Sequence, residues 1–200
     1  MPNPSNLDLT TLSRREKEDL LLLLDQKEEK IRIADTKNDL ITFAQLVYPG
    51  FKVGPHHRHI AKIFKDVVDG KKKRVIINIA PRMGKSILTS YLFPAWYLGQ
   101  KPTAQIIMAT HTASLSEDFG RMVRNLIDSE DYKKIYPKTL LAQDSKSAGA
   151  WNTSVGGKYL AVGVGGALAG RGGDLVGIDD AHSEADARSG IRTLLDQAWA

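Results

Sequence analysis

The feature that most constrains the fold is an apolar, β-branched run at residues 75–80 that leads directly into the polar loop 81–86. A run of this length, bounded by a basic turn and by Pro81, predicts a strand of a parallel sheet that is buried on both faces. Residues 84–98 favour a helix immediately after the loop. A buried strand, a tight loop and a helix in this order predict an α/β fold with a mainly parallel sheet.

Strand and helix patterns alternate after this unit, and helical patterns precede it. The predicted later elements are a strand at 104–110, a helix at 114–127, a hairpin of residues 151–154 and 158–162 that turns at Gly156-Gly157, a strand at 174–178 and a helix at 185–199. The predicted earlier elements are a charged helix at 13–34, whose Ser13 and Glu16 have capping-box spacing, and helices at 40–48 and 56–68. We therefore predict an N-terminal leader with a helical appendage at 1–39, and an α/β domain at 40–200 whose central sheet is flanked by helices.

Length and composition exclude several classes of protein. A chain of 200 residues suits one globular domain with a core of its own. The longest aliphatic run, residues 20–24, is far shorter than the roughly 20 residues of a membrane-spanning helix, so we predict no association with a membrane. The chain has no cysteine, which excludes disulfides, thiolate zinc sites and cysteine nucleophiles.

The net charge of +5 comes from residues 51–74, which we call the basic segment. This segment has eight basic residues and two acidic residues, whereas residues 14–32 have six of each. A concentrated positive charge favours a polyanionic partner, either nucleic acid or nucleotide phosphate. A solvated lysine-rich loop is the structural alternative.

The tripeptide Gly84-Lys85-Ser86 lies where the predicted strand and helix meet, a place that suits a phosphate group. A helix that begins there directs backbone N–H groups and the positive end of its dipole at the loop. Lys85 would add charge at the β- and γ-phosphates, and Ser86 would add a hydroxyl for Mg²⁺. The tripeptide alone is a weak motif, and the Walker A pattern requires a glycine where this chain has Ile79. A phosphate-binding role for this tripeptide therefore needs support from other motifs of the chain.

Two adjacent carboxylates, Asp179 and Asp180, follow the last predicted strand. The carboxyl ends of parallel strands form the edge at which open α/β sheets bind ligands. One carboxylate would hold the shell of a Mg²⁺ ion and the next would polarise an attacking water molecule, because phosphoryl transfer requires positioning and charge neutralisation. The alternative is that Asp180 is the N-cap of the helix that follows.

Three further features have weaker interpretations. The histidine cluster at 56–59 has no cysteine or nearby carboxylate partner for a metal, and we expect a contact with a nucleotide base around His57 or Arg58. Residues 110–112 would either sense the phosphate state or cap the next helix. We expect Trp151 and Trp199 in the core rather than stacked on DNA.

These motifs, in this order, resemble the ATPase domain of the large terminase subunits of tailed bacteriophages. The resemblance covers about residues 40–199 and is based on residues 76–86, the Tyr-Leu-Phe-Pro-Ala-Trp of residues 91–96, residues 151–173 with their Gly-Gly turn and Gly-Arg-Gly, and Ile178-Asp179-Asp180. It also accounts for Ile79, because members of this family have a Pro-Arg-x-Gly-Lys-Ser type of loop. The resemblance implies a P-loop NTPase fold of the ASCE type.

The resemblance implies roles for the residues of the loop. Lys85 and Ser86 match the loop lysine and the serine that binds Mg²⁺. Arg82 matches an arginine that the family places near the γ-phosphate or the acidic strand end, and it is implied to be catalytic together with Lys85. The loop residues implied to bind ATP are Pro81, Arg82, Met83, Gly84, Lys85 and Ser86.

The resemblance also implies roles for the acidic strand end and for one distant arginine. Asp179 matches the metal-coordinating aspartate of a Walker B motif. Asp180 stands where many terminases have a catalytic glutamate and others an aspartate, so it is implied to activate water, with Glu184 as a second choice. Arg171 matches an arginine proposed in the family to act as a finger that completes the site of the neighbouring subunit.

The function implied is an ATPase motor that uses ATP and Mg²⁺ to translocate double-stranded viral DNA into a procapsid. The implied partners are that DNA, the portal protein, the small terminase subunit and further copies of the chain in a ring, expected to be a pentamer, in the host bacterial cytoplasm and transiently at the portal. Family members also have a nuclease domain, which these 200 residues do not contain, so we expect no nuclease activity from them. The alternatives are a helicase-like ATPase that remodels nucleic acid, and a nucleotide-binding assembly module without turnover.

Overall fold

A computed structural model of the chain describes residues 12–145, 147–166 and 171–181. The chain divides into two compact units, Met1–Asp35 and Thr36–Ala200. The predicted helix at 185–199, and Trp199 with it, lie outside the described residues.

The first unit contains most of helix α1, Arg14–Asn38, whose last three residues belong to the second unit. The predicted capping box is present at its start, where the backbone N–H and the hydroxyl of Ser13 both donate to Glu16 Oε2, at 2.8 and 2.7 Å. The helix continues four residues beyond the predicted end at residue 34. The leucines at 21–24 are exposed on it.

The second unit is built on a four-stranded sheet with the order β2-β3-β1-β4. Its strands are β1 (Gln105–Thr110), β2 (Ala150–Asn152), β3 (Lys158–Gly163) and β4 (Leu175–Asp179). Strand β1 pairs in parallel with both β3 and β4, while β2 pairs antiparallel with β3. The predicted α/β fold with a mainly parallel sheet is therefore confirmed, and so is the hairpin that turns at Gly156-Gly157.

Parallel pairing brings the carboxyl ends of three strands to one edge of the sheet. Thr110 of β1 pairs with Gly163 of β3 and with Asp179 of β4. One residue further, the His111 N–H donates to the carbonyl oxygen of Asp180 at 3.0 Å. The edge at which a ligand is expected is therefore the edge that carries the two aspartates.

Helices pack around the sheet and complete the core. They are α2 (Leu40–Val47), α3 (Pro55–Val68), a π-helical segment (Ile87–Leu92), α4 (Phe93–Gln100), α5 (Ala113–Ile127) and α6 (Glu130–Ile135), of which α6 was not predicted. Trp151 stacks on Tyr159 with ring centroids 4.8 Å apart, and its indole N–H donates to the Gly120 carbonyl of α5 at 3.1 Å. Trp151 is 2% exposed, which confirms its expected place in the core. Among the described residues, no helix is both long enough and apolar enough to cross a membrane.

The prediction of a buried parallel strand at residues 75–80 is wrong. The segment forms no ladder with a described strand, and Ile76 is 97% exposed. Its side chains alternate between half-buried and exposed, and Ile77 and Ile79 pack against the core. β-branched residues favour an extended backbone, but a strand also needs a neighbouring edge that satisfies its N–H and C=O groups. In the described sheet the outer strand β4 pairs with β1 alone, so its free side forms no ladder with this segment.

The helix predicted at 84–98 is present, but its hydrogen-bond pattern changes along its length. It is π-helical from Ile87 to Leu92, where the Phe93 N–H bonds to the Leu88 carbonyl five residues earlier, and α-helical from Phe93. Pro94 gives the physical reason, because proline lacks an N–H and its ring clashes with the carbonyl four residues before it in an α-helix, here that of Ser90. The wider turn ahead of Pro94 relieves that clash.

Candidate phosphate-binding site

The loop 81–86 and the end of β4 meet through a cluster of charged side chains. Lys85 Nζ lies 3.0 Å from Asp179 Oδ1 and 2.8 Å from Asp180 Oδ1. The chain separates Lys85 from Asp180 by 95 residues, and the fold brings the loop against the carboxyl end of β4. Three of the predicted site residues are therefore in direct contact.

Asp179 is the buried member of this cluster, with 6% of its surface exposed. Its Oδ2 accepts a hydrogen bond from the Ser90 hydroxyl at 2.8 Å. Burial by itself raises the pKa of this carboxyl group, but the hydrogen bonds from Ser86, Ser90 and Lys85, with the charge of Lys85, lower the pKa of Asp179 below its usual value. Asp179 is therefore a carboxylate inside the protein.

Asp180, in contrast, has a side chain that is 63% exposed. Its φ is +45°, a left-handed conformation that aspartate adopts more readily than most residues. The pKa of Lys85 is raised above its usual value, mainly by the hydrogen bond to Asp180. Burial lowers this pKa, and the contact with Asp179 raises it further. The cluster therefore presents one ammonium group, a buried carboxylate and a carboxylate that solvent reaches.

A cavity of about 340 Å³ lies beside the cluster. The cavity is lined by the polar side chains of Lys85, Asp179 and Asp180 and by apolar side chains such as Phe64. An apolar wall with a few converging polar groups is typical of a small-molecule site.

His57 supports the loop from its buried side. The side chain is 4% exposed, and its Nδ1 accepts a hydrogen bond from the Gly54 N–H at 3.0 Å. The neutral ring therefore carries its proton on Nε2, which donates to the Met83 carbonyl at 2.8 Å. Burial lowers the pKa of His57, the bond to Met83 opposes this, and the charge of His56 adds to the lowering. Both ring nitrogens bond within the protein, which does not fit the predicted contact of His57 with a nucleotide base.

The loop itself has an unusual backbone. Gly84 has a φ of +74°, and a Cβ at this position would lie 2.7 Å from His57 Nε2, so both the conformation and the space require glycine. Arg82 also has a positive φ, +63°, without being glycine. Residues held in this region concentrate at binding and catalytic sites.

The structure does not bring Arg82 to the acidic strand end. Its side chain is exposed, and within the described ranges no carboxylate lies at ion-pair distance from it. Of the other loop residues, Pro81 and Met83 are exposed, and Ser86 is half-buried against Asp179.

Arg171 lies at the opposite edge of the sheet. It precedes β4 by four residues and lines a second cavity, of about 360 Å³, with Gln105 and Lys158 at the starts of β1 and β3. Strand β4 spans roughly 15 Å at about 3.3 Å per residue, so Arg171 does not reach the Lys85 cluster of its own chain. The predicted finger role therefore requires the site of another subunit.

Two site features concern hydroxyl groups. Ser90 was not predicted as a site residue. Its spacing from Ser86 places both on one side of a helix, and this spacing is the signal that points to it. At the end of β1, the Thr112 hydroxyl accepts a hydrogen bond from the Leu115 N–H at 3.3 Å, which confirms the helix-cap alternative for this segment.

Two further predictions concern residues outside the described ranges. They are the role of Glu184 as a second choice for activating water and the helix that Asp180 would cap.

Fold and site together define an α/β protein with a Gly-Lys-Ser loop held against two carboxylates at the carboxyl edge of its parallel strands. Residues 76–189, more than half of the chain, match the family model described as "Terminase large subunit, T4likevirus-type, N-terminal". The chain therefore belongs to the large terminase subunit family. No curated protein and no solved structure matches it. Membership connects the chain with phage DNA packaging, a process whose partners in general are DNA, a portal protein and a small terminase subunit.

Proposed function

We propose that this chain is the ATPase motor domain of a phage DNA-packaging machine. It is a P-loop NTPase of the ASCE type that hydrolyses ATP with Mg²⁺ and uses the energy to translocate double-stranded DNA into a procapsid. The observation that carries the proposal is the Lys85 ammonium between Asp179 and Asp180, at 3.0 and 2.8 Å, on the carboxyl edge of a parallel sheet. Family membership supports the packaging role, and the chemistry of this cluster supports hydrolysis.

The ion pairs of Lys85 would make the ability of Asp180 to act as a general base depend on nucleotide binding. The single ammonium of Lys85 pairs with both Asp179 and Asp180. The phosphates of ATP would compete for the same ammonium, because phosphate accepts charge-assisted hydrogen bonds as carboxylate does. The exposed Asp180 would then lose its cation and become free to orient a water molecule and accept its proton.

The oxygen atoms beside Lys85 suit Mg²⁺. The Ser86 hydroxyl and the Asp179 carboxylate would hold the ion, together with oxygens of the phosphates and of water. Bound Mg²⁺ would supply neutralisation of phosphate charge. In the part of the chain that the structure describes, no group of three or more His, Cys, Asp or Glu side chains could hold a metal. This fits an ion held mainly by substrate and water oxygens, as Mg²⁺ usually is at nucleotide sites.

The charge of the basic segment supports the DNA part of the proposal. Its two acidic residues, Asp66 and Asp69, form ion pairs with Lys65, Lys71 and Lys72. The other cations of the segment have no carboxylate at ion-pair distance among the described residues. These cations are Lys52, Arg58, Lys62, Lys73 and Arg74. Arg58 and Lys62 are exposed and lie one turn apart on α3. We assign contacts with DNA phosphates to this face of α3.

The proposed assembly is a ring of this chain, expected to be a pentamer, that works in the host bacterial cytoplasm while docked on the portal of the procapsid. Within the ring, Arg171 of one subunit would complete the site of its neighbour. Mixing Arg171→Ala subunits with Lys85→Ala subunits should then restore part of the turnover, because a mixed ring contains interfaces with an intact Arg171 and an intact Lys85. No restoration in verified mixed rings would contradict this role.

The experiment that tests the main proposal measures ATP binding and ATP turnover separately, with DNA and portal protein present. Wild-type protein should bind and hydrolyse ATP, and Lys85→Ala should abolish turnover. Lys138→Ala, which removes an exposed lysine far along the chain, is the matched control and should retain turnover. Equal turnover in the Lys85→Ala variant and the wild type would refute the assignment.

The same experiment separates the alternatives. Binding of ATP without turnover would identify a nucleotide-binding assembly module. Duplex unwinding in the absence of any capsid component would identify a helicase-like ATPase.

A further inference from the structure

The side chain of Ser90 has an unusual environment for a hydroxyl group. It lies in the π-helical segment among the buried side chains of Leu88, Tyr91 and Leu92, and its own surface is 0% exposed. Burying a hydroxyl group is unfavourable unless it is hydrogen bonded. The Ser90 hydroxyl donates to Asp179 Oδ2 at 2.8 Å, so its strongest partner is the buried carboxylate of the candidate site.

The two oxygens of Asp179 have different partners. Oδ1 lies 3.0 Å from Lys85 Nζ, on the side of the loop, whereas Oδ2 accepts from Ser90, on the side of the core. The last side-chain torsion of an aspartate has a broad preference, so the rotation of the carboxylate is set by its hydrogen bonds. The bond from Ser90 therefore fixes the plane of the carboxylate, with one oxygen on Ser90 and the other toward Lys85.

We infer that Ser90 is a positioning residue that orients Asp179 toward Mg²⁺ when the nucleotide binds. The inference depends on the proposed function, and it assigns Ser90 no contact with ATP. Residues that orient a metal ligand typically change metal affinity by about 10- to 100-fold when they are removed. Because Ser86 also stabilises the charged form of Asp179 by lowering its pKa, we expect the lower end of that range, about tenfold.

The test uses the whole 200-residue chain and the non-hydrolysable analogue AMP-PNP, titrated by calorimetry once with Mg²⁺ and once with EDTA. Ser90→Ala should weaken binding about tenfold with Mg²⁺ and leave binding with EDTA unchanged. Ser90→Thr keeps the hydroxyl and should restore most of the Mg²⁺-dependent affinity. If Ser90→Ala does not fold, Ser90→Cys fills nearly the same space with a weak donor and should show the same selective loss.

The matched control is Ser116→Ala. Ser116 is also 0% exposed, but its hydroxyl donates to the backbone carbonyl of Met108, at 2.6 Å, instead of to a carboxylate. This variant should lower the unfolding temperature without a selective loss of Mg²⁺-dependent binding. Equal losses with Mg²⁺ and with EDTA in Ser90→Ala, or no loss at all, would overturn the inference. A wild-type chain that binds AMP-PNP under neither condition would refute the proposed function instead.

Discussion

Replacing His57 tests how the loop 81–86 is held in position. The ring accepts from the Gly54 N–H at 3.0 Å and donates to the Met83 carbonyl at 2.8 Å. His57→Gln can keep the second bond, because a glutamine amide nitrogen reaches about as far as Nε2, but it loses the first. His57→Ala loses both. His59→Gln changes an exposed histidine of the same helix and is the control.

The expected losses follow from the bonds that each variant removes. A hydrogen bond contributes about 1 kcal/mol net, so His57→Gln should lower the free energy of unfolding by about 1 kcal/mol. His57→Ala should lower it by about 2 kcal/mol or more, since it also removes packing of a side chain that is 4% exposed. Nucleotide affinity should fall in His57→Ala more than in His57→Gln, because the latter keeps the bond to Met83.

The pH dependence of these losses has a definite sign. Burial lowers the pKa of His57 from its ordinary value of 6.5, so below that value the unfolded chain binds a proton that the folded chain does not. The stability that His57 contributes is therefore complete above pH 6.5 and declines as the pH falls below it. The advantage of the wild type over His57→Gln should shrink in the same direction.

Urea unfolding followed by tryptophan fluorescence measures these quantities, with the buried Trp96 and Trp151 among its reporters, 0% and 2% exposed. The titration should cover about pH 5 to 8, the range in which histidine charges change. His59→Gln should keep the wild-type profile. A difference between wild type and His57→Gln that stays constant with pH would refute the argument that the folded chain holds His57 neutral.

Two further predictions concern the loop and the proposed DNA surface. Gly84→Ala should lower the free energy of unfolding by clearly more than Gly70→Ala in the same urea assay. Both glycines have a φ near +75°, but a Cβ at Gly84 meets His57 at 2.7 Å while one at Gly70 meets nothing within 4 Å. Replacing Arg58 and Lys62 together by glutamate should weaken DNA binding and reduce the slope of log affinity against log salt by about 2, as measured by fluorescence anisotropy. An unchanged slope would remove this face of α3 from the DNA surface.

The sequence predicted the elements whose signals are local. The capping box of Ser13 and Glu16, the helix after Thr112 and the hairpin at Gly156-Gly157 depend on residues a few positions apart. It also predicted that the loop 81–86 and the acidic end of β4 lie together, and Lys85 does pair with Asp179 and Asp180. The reason was incomplete, because the segment before the loop is not a strand of the described sheet.

Residues 75–80 show where local signals fail. Their β-branched composition indicates an extended chain, and their alternating exposure is compatible with one, but composition contains no information on whether a neighbouring strand pairs with the segment. His57 shows the same limit for a side chain. Its position before the loop suggested a ligand contact, whereas its nitrogens bond to Gly54 and Met83.

A comparison of Ser90 with Ser116 shows why the role of a buried side chain could not be predicted from the sequence. Both are serines of a helix and both are 0% exposed, so composition, spacing and burial do not separate them. The Ser116 hydroxyl donates to a backbone carbonyl, as a buried hydroxyl in a helix near a strand commonly can. Removing the Ser116 hydroxyl would therefore affect stability. Ser90 bonds to the carboxylate of Asp179, 89 residues away, and its loss would affect the orientation of the proposed Mg²⁺ ligand. The function of a buried hydroxyl is thus a property of its tertiary partner, and that partner is what a single sequence does not display.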